Sequence, residues 1–282
     1  MSKPDHKTPI VLIAVLIGLY FLIFYPVWKS LVGTWYTSED YSFGFFIIPF
    51  SAYIAWKKRE VLKNIEPAPS GLGLVIILFS LVLYLFSYLS EILTLVSLSP
   101  ILVLSGGIIY FYGFRMFKEL SFPIGFLLFM IPVPSQIFSQ LTIPLQLLVT
   151  KISVGCSSLI GIPIYAEGNV IHLPGHTLQV VHACSGLRSL LTILPLGALL
   201  GYLILSSNPL RSLVFLAGIP TAIGINIIRV LLVILSFYYF SFDLTVGTPH
   251  EILGIFIFCL AIVILLLLAG LLMKWEAKVR NK

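Results

Sequence analysis

The chain has 282 residues, 59% of them hydrophobic and 10% charged, with a formal net charge of +6. Soluble domains carry about 25% charged residues, so this composition excludes a water-soluble globule and describes a polytopic membrane protein. The positive residues lie between apolar stretches rather than massed on one soluble face, which argues against a nucleic-acid partner and for the loop bias of membrane proteins.

In chain order, Lys3, His6 and Lys7 precede an apolar run from Ile10 to Val27. That run is longer than a signal-peptide core, no small-x-small cleavage site follows it, and it reads as a retained first helix. A span needs about 20 apolar residues. Spans are expected at 9–27, 41–56, 71–90, 92–113, 185–205, 210–238 and 250–273, with a shorter one near 117–131. Lys57 to Lys63, Arg115 with Lys118, Ser206 to Arg211 and Lys274 to Lys282 separate or follow them. With the N-terminus in the cytoplasm, eight crossings place every cluster of positive charge on the cytoplasmic side, and both termini with them.

On that count, Pro132 to Val181 lies on the outer side or in the outer leaflet. The stretch 136–161 is apolar but interrupted by Gln136, Gln140, Gln146 and Lys151, with Pro144 expected to bend it. It reads as an amphipathic helix in the interface. Residues 162–181 carry β-branched residues, a Glu167-Gly168-Asn169 turn signal and a Pro174-Gly175 pair suited to a type II turn, and read as a small extracytoplasmic β-meander. The expected fold is therefore an all-α integral membrane bundle of about eight transmembrane helices with that meander and an interfacial helix. It is expected to form a single domain over 1–282.

Ionisable residues inside spans point to function. Cys184 opens one span, and Arg188 follows one helical turn later on the same face. Asn226 and Arg229, at i and i+3, share a face toward the outer end of the next span, and His250 opens the last. A thiolate is a nucleophile favoured by nearby positive charge or a helix N-terminus. An imidazole can take the thiol proton and return it to a leaving amine. A guanidinium can stabilise a tetrahedral oxyanion.

Plainer readings exist for each. A lone helical cysteine is usually a small hydrophobe, the reading applied to Cys156 and Cys259 and an alternative for Cys184. Arg229 can snorkel to headgroups, and His250 can cap its helix. Three cysteines do not suggest a disulfide framework. His172, His176, His182 and Cys184 are conceivable metal ligands, yet no carboxylate–His or Cys-x-x-Cys spacing supports them; no metal and no cofactor is expected. A transporter or flippase for an anionic lipid-linked solute, bound by Arg188 and Arg229, is the alternative function. Against it, the spans do not form two matched halves.

The stretches FPIGFLLFMIPVPSQIFSQLTIPLQLL (122–148), GIPIYAEGNVIHLPGHTLQVVHACSGLRSL (161–190), INIIRVLLV (225–233) and PHEILG (249–254) resemble the exosortase/archaeosortase family of integral-membrane cysteine transpeptidases. YSFGFFIIPFSAYIAWKKR (41–59) matches more weakly. The resemblance implies a plasma-membrane enzyme with its active site on the extracytoplasmic side. Its substrates would be secreted proteins ending in a sorting signal: a short motif such as Pro-Glu-Pro, a transmembrane helix and a basic tail. The product would pass to an envelope polysaccharide or lipid acceptor. It further implies Cys184 as nucleophile with Arg229 and His250 as catalytic partners, and Arg188 and Asn226 as supporting residues. Archaeal members tend to have arginine at the His250 position, so the chain is more similar to the bacterial ones. Two positions depart from the family pattern. His182 stands where an acidic residue is usual, which makes it a second candidate for the base, and Phe43 stands where histidine is frequent.

Overall fold

The computed structural model describes residues 7–179 and 186–280 and is mostly helical. It divides into two compact units, Met1–Pro134 and Ser135–Lys282.

In the first unit, α1 (Lys7–Ile23) and α2 (Tyr25–Thr37) meet at a 62° bend. The expected single span over 9–27 is thus broken at Phe24. Pro26 lies in the first turn of α2, where it has no N–H to donate to the preceding turn. Next come α3 (Gly44–Lys57), α4 (Arg59–Lys63), α5 (Leu72–Leu89), α6 (Leu93–Tyr112), α7 (Phe114–Phe126) and a 3-10 turn at Leu127–Met130.

The α5–α6 hairpin packs closely because glycines face each other. A Cβ on Gly73 would collide with the Tyr110 backbone nitrogen and lie 2.6 Å from the Gly106 carbonyl oxygen. Ser80 Oγ donates to the Ser99 carbonyl across the same seam at 2.7 Å. Small residues permit such backbone approach where lipid supplies no hydrophobic drive between helices. The segment from α7 through the 3-10 turn runs from one end of the unit to the other. At one end Lys58 Nζ meets the Glu119 carboxylate at 2.9 Å. At the other, Tyr41 OH accepts from Val133 N–H and Thr94 Oγ1 donates to the Pro132 carbonyl. Lys57 to Lys63 therefore share an end with the start of α7, which carries Arg115 and Lys118.

The second unit begins with α8 (Ser135–Leu159). Strands β1 (Tyr165–Glu167), β2 (Val170–Leu173) and β3 (His176–Gln179) form an antiparallel sheet in the order β1-β2-β3. Gly175, between β2 and β3, has φ +78°, the left-handed value that the third position of a type II turn demands. Then follow α9 (Leu187–Ile204), α10 (Asn208–Phe240) and α11 (Gly247–Arg280). The Glu276 carboxylate of α11 accepts the backbone N–H groups of Ser206 and Ser207 at 3.1 and 2.7 Å. A negative charge there suits the N-terminus of α10, and the contact fixes the basic end of α11 beside the α9–α10 loop.

Among the described residues six helices, α5, α6, α8, α9, α10 and α11, are long and apolar enough to cross a membrane, and the bent α1–α2 pair makes a seventh if taken as one span. The expected spans at 41–56 and 117–131 fold as helices of 14 and 13 residues. The helix α8, expected in the interface, is one of those six candidates by length and composition. It is continuous through Pro144 for 25 residues, a length of about 37 Å. Thr142, Gln146, Thr150, Ser153 and Ser157 are buried on its inner face, while Ile137, Leu141, Ile143 and Leu148 are exposed. Gln136, Gln140 and Lys151 are exposed along with those apolar side chains, so the outward face is mixed.

Gly73→Ala should lower the thermal unfolding midpoint in detergent, by the equivalent of about 1–3 kcal/mol of overpacking. Gly107→Ala, where an added Cβ meets nothing within 4 Å, should leave it unchanged or slightly raised. Equal melting of the two variants would contradict the close α5–α6 seam.

Candidate active site

On α10, Asn226 and Arg229 lie one helical turn apart and are buried, at 1% and 8% exposure. Ile225, Val230 and Val233 bury the same stretch of helix among apolar side chains. A guanidinium in such surroundings is costly unless hydrogen bonds satisfy it.

The partner comes from the next helix. Arg229 precedes the end of α10 by eleven residues, about 16 Å along the axis, so the following chain must double back to reach it. It does so at once. Ser241 takes a left-handed conformation at φ +51°. Phe242 N–H donates to the Ser236 carbonyl, and Ser236 Oγ donates to the Phe242 carbonyl at 2.8 Å. Asp243 Oδ1 then accepts both the backbone N–H and the hydroxyl of Thr245, each at 2.6 Å. The loop thus lies back along the last turns of α10, and α11 starts beside Arg229 rather than beyond Phe240.

His250 sits in the first turn of α11. Its Nε2 is 2.9 Å from Arg229 Nη2, and its Nδ1 is 3.3 Å from the Leu244 carbonyl oxygen. A guanidinium nitrogen only donates and a carbonyl oxygen only accepts. The neutral tautomer that suits both carries its proton on Nδ1, donated to Leu244, and leaves Nε2 unprotonated beside Arg229, whose Nη2 lies over the ring within 3.4 Å of both nitrogens. Thr245, Gln179, Leu178 and Ile171 enclose a cavity of about 30 Å³ with these two side chains. The sheet is held over this end of α10 by Leu178, which packs against the core on both sides of it, and by the His176 ring, 5.2 Å from that of Phe237.

Opposite lies the start of α9. Gly186, at φ +82°, precedes the first helical residue, and its carbonyl accepts the Leu190 N–H. An added Cβ there would stand 3.2 Å from Asn226 Nδ2. Glycine is thus required both by backbone conformation and by the closeness of Asn226. Arg188, half-buried, lies in the first turn of α9.

Cys184 and His182 fall within 180–185, outside the described residues. Of the other expected residues, Arg229 and His250 are in direct contact, Asn226 lies against Gly186, and Arg188 begins the neighbouring helix. The expected one-turn relation between Cys184 and Arg188 lies outside the described residues; α9 begins at Leu187, after the left-handed Gly186. His172 and His176 diverge: the first stacks on Tyr165 at 4.6 Å, the second lies against Phe237. Among the described residues no three His, Cys, Asp or Glu side chains converge as a metal site.

Sequence reasoning missed Asp243, Thr245 and Gln179. The Asp-Leu-Thr order in the α10–α11 loop is the signal that was available, since Asp side chains cap the backbone two residues on. The Thr245 hydroxyl and then its N–H hold the Asp243 carboxyl below its ordinary pKa, helped by the nearby imidazoles of His176 and His250.

The transmembrane exosortase family profile matches residues 35–267 of the chain, across both units. No curated protein and no solved structure matches it.

Gly186→Ala should destabilise the second unit by about 1–2 kcal/mol from the left-handed backbone alone, read as a lower unfolding midpoint. The double variant Gly186→Ala with Asn226→Ala should recover only the part due to the Asn226 contact. Full recovery would show that the left-handed backbone at Gly186 carries no strain for alanine.

Proposed function

The chain belongs to the transmembrane exosortase family, and we propose that it is a membrane-embedded cysteine transpeptidase. On this reading it removes the C-terminal sorting signal of secreted proteins, a short Pro-Glu-Pro-like motif with its helix and basic tail, and passes the remainder to an acceptor. The supporting observation is the contact of the buried Arg229 with the half-buried His250, flanked by both described ends of the segment that carries Cys184. Gln179 lines the cavity at that pair, and Gly186 lies against Asn226. Two residues of chain reach at most about 7 Å, so connectivity alone keeps Cys184 close to Gly186.

The chemistry assigns one role to each group. Positive charge from the arginines and the N-terminal ends of α9 and α11 favours a thiolate at Cys184. His250 takes the thiol proton. The sulfur attacks the scissile carbonyl, forming a C–S bond and an oxyanion that Arg229 stabilises. The C–N bond then breaks, the electron pair stays on nitrogen, and the imidazolium returns its proton to that amine. The helix and basic tail depart with the amine, leaving a thioester on Cys184. An acceptor amine, or water, attacks the thioester carbonyl, gives up a proton to the imidazole and releases the thiol. His182 is the rival base.

The site lies on the extracytoplasmic side of the plasma membrane on this reading. His250 and Lys274 are 24 residues apart on the one helix α11, about 36 Å. That distance exceeds a bilayer's apolar core and separates the site from the basic end, which the positive-inside rule assigns to the cytoplasm.

The test is co-expression with a secreted protein bearing the tripartite tail, with intact-mass readout of tail removal. Cys184→Ala should abolish processing. Arg229→Ala and His250→Ala should each slow it by roughly 100-fold or more, the scale of a lost oxyanion donor or general base. Processing by Cys184→Ala at the wild-type rate would overturn the enzyme reading.

A further inference from the structure

His250 is the only imidazole touching Arg229 among the described residues, and it has two ways to do so. Its Nε2 lies 2.9 Å from Arg229 Nη2, but its Nδ1 is only 3.4 Å away. A small rotation of the ring would exchange the nitrogen that Arg229 holds. Arg229 by itself therefore does not choose between the two nitrogens. The choice is made by the Leu244 carbonyl, which takes the Nδ1 proton.

Leu244 stands in a six-residue loop between α10 and α11, with no helical ladder to hold its carbonyl in place. Two clamps hold it. On one side, Phe242 is bonded twice to Ser236. On the other, Asp243 reaches across Leu244 to accept both donors of Thr245. The second clamp depends on one carboxylate oxygen with two short bonds.

We infer that Asp243 is a positioning residue: by clamping Leu244 through Thr245 it sets the ring orientation and tautomer of His250, leaving Nε2 toward Arg229 and the enclosed cavity. The inference rests on the transpeptidase reading for its catalytic meaning, and on geometry alone for the clamp. Among the described residues, the charged and titratable groups around His250 are Arg229 from α10, Asp243 from the loop, His176 from β3 and Glu251 from its own helix. Arg229 opposes a positive ring, whereas the Asp243 carboxylate favours one. The same residue thus holds the ring while it is neutral and supports it when it carries the thiol proton.

The experiment uses the full chain in lipid nanodiscs with ¹⁵N-labelled histidine, the His250 signal being assigned by its loss in His250→Gln. Solid-state NMR reads the tautomer without any substrate, and the processing assay reads the rate against pH. In the wild type, His250 should show the Nδ1–H tautomer. Asp243→Ala should mix the tautomers and lower kcat about ten-fold or more with little change in KM. Asp243→Asn keeps the accepting oxygen and should restore the tautomer and most of the rate, with the base limb of the pH profile moved by loss of the carboxylate. Thr245→Val removes one donor and should fall between. An unchanged tautomer in Asp243→Ala would overturn the clamp. A normal tautomer with a rate as low in Asp243→Asn as in Asp243→Ala would also overturn it, showing that charge and not position matters. If the wild type processes no tail, the transpeptidase reading fails while the tautomer still decides the clamp.

Discussion

A guanidinium buried among apolar helices has to find hydrogen bonds within the protein, because lipid and aliphatic side chains offer none. Much of the second unit is arranged around that demand at Arg229. The loop after α10 folds back instead of continuing outward, α11 begins level with Arg229, and His250 is delivered to Nη2 at 2.9 Å. Each step needs the previous one: the Ser236–Phe242 bonds turn the chain, the Asp243–Thr245 turn shapes it, and Leu244 orients the ring. The buried charge on α10 and the connection between the two long helices thus meet at one contact.

The same arrangement makes the site electropositive without enclosing it in a soluble domain. Arg229, Arg188 and the N-terminal ends of α9 and α11 belong to one unit, and the small sheet covers this end of α10 through Leu178 and His176. The basic residues at the far end of α11 are held beside the α9–α10 loop by Glu276. The Arg229–His250 contact and the basic residues of α11 thus lie at opposite ends of that helix. A transpeptidase acting on a membrane-anchored substrate needs this separation, since water and acceptor must reach the scissile bond while the body stays in lipid.

Residue chemistry was legible in the sequence, and local geometry was less so. Asn226 and Arg229 at helical spacing, and His250 just after Gly247-Thr248-Pro249, are visible as polar intrusions into apolar runs, and the Pro174-Gly175 turn is explicit. The break at Phe24 was not visible, because the apolar run continues across it and only Pro26 marks it. The placing of α8 was not legible for a physical reason: amphipathicity says that two faces differ, not which one is inside. In water the polar face is outward, whereas in lipid the serines and threonines turn inward and the leucines outward. The start of α9 was less legible, because the left-handed backbone at Gly186, just before the first turn, has no signal beyond the glycine itself. Asp243 escaped notice because a carboxylate in a loop looks like ordinary solvation until its partners are known.

The most direct test of the account is a search for the covalent intermediate. The enzyme is mixed with a tail-bearing substrate, quenched in acid, digested and examined by mass spectrometry for a substrate acyl group on the peptide carrying Cys184. The account predicts a thioester at Cys184 that hydroxylamine releases and that is absent from Cys184→Ala. A tail removed with no acyl group on Cys184, or with the acyl group on another residue, would contradict it.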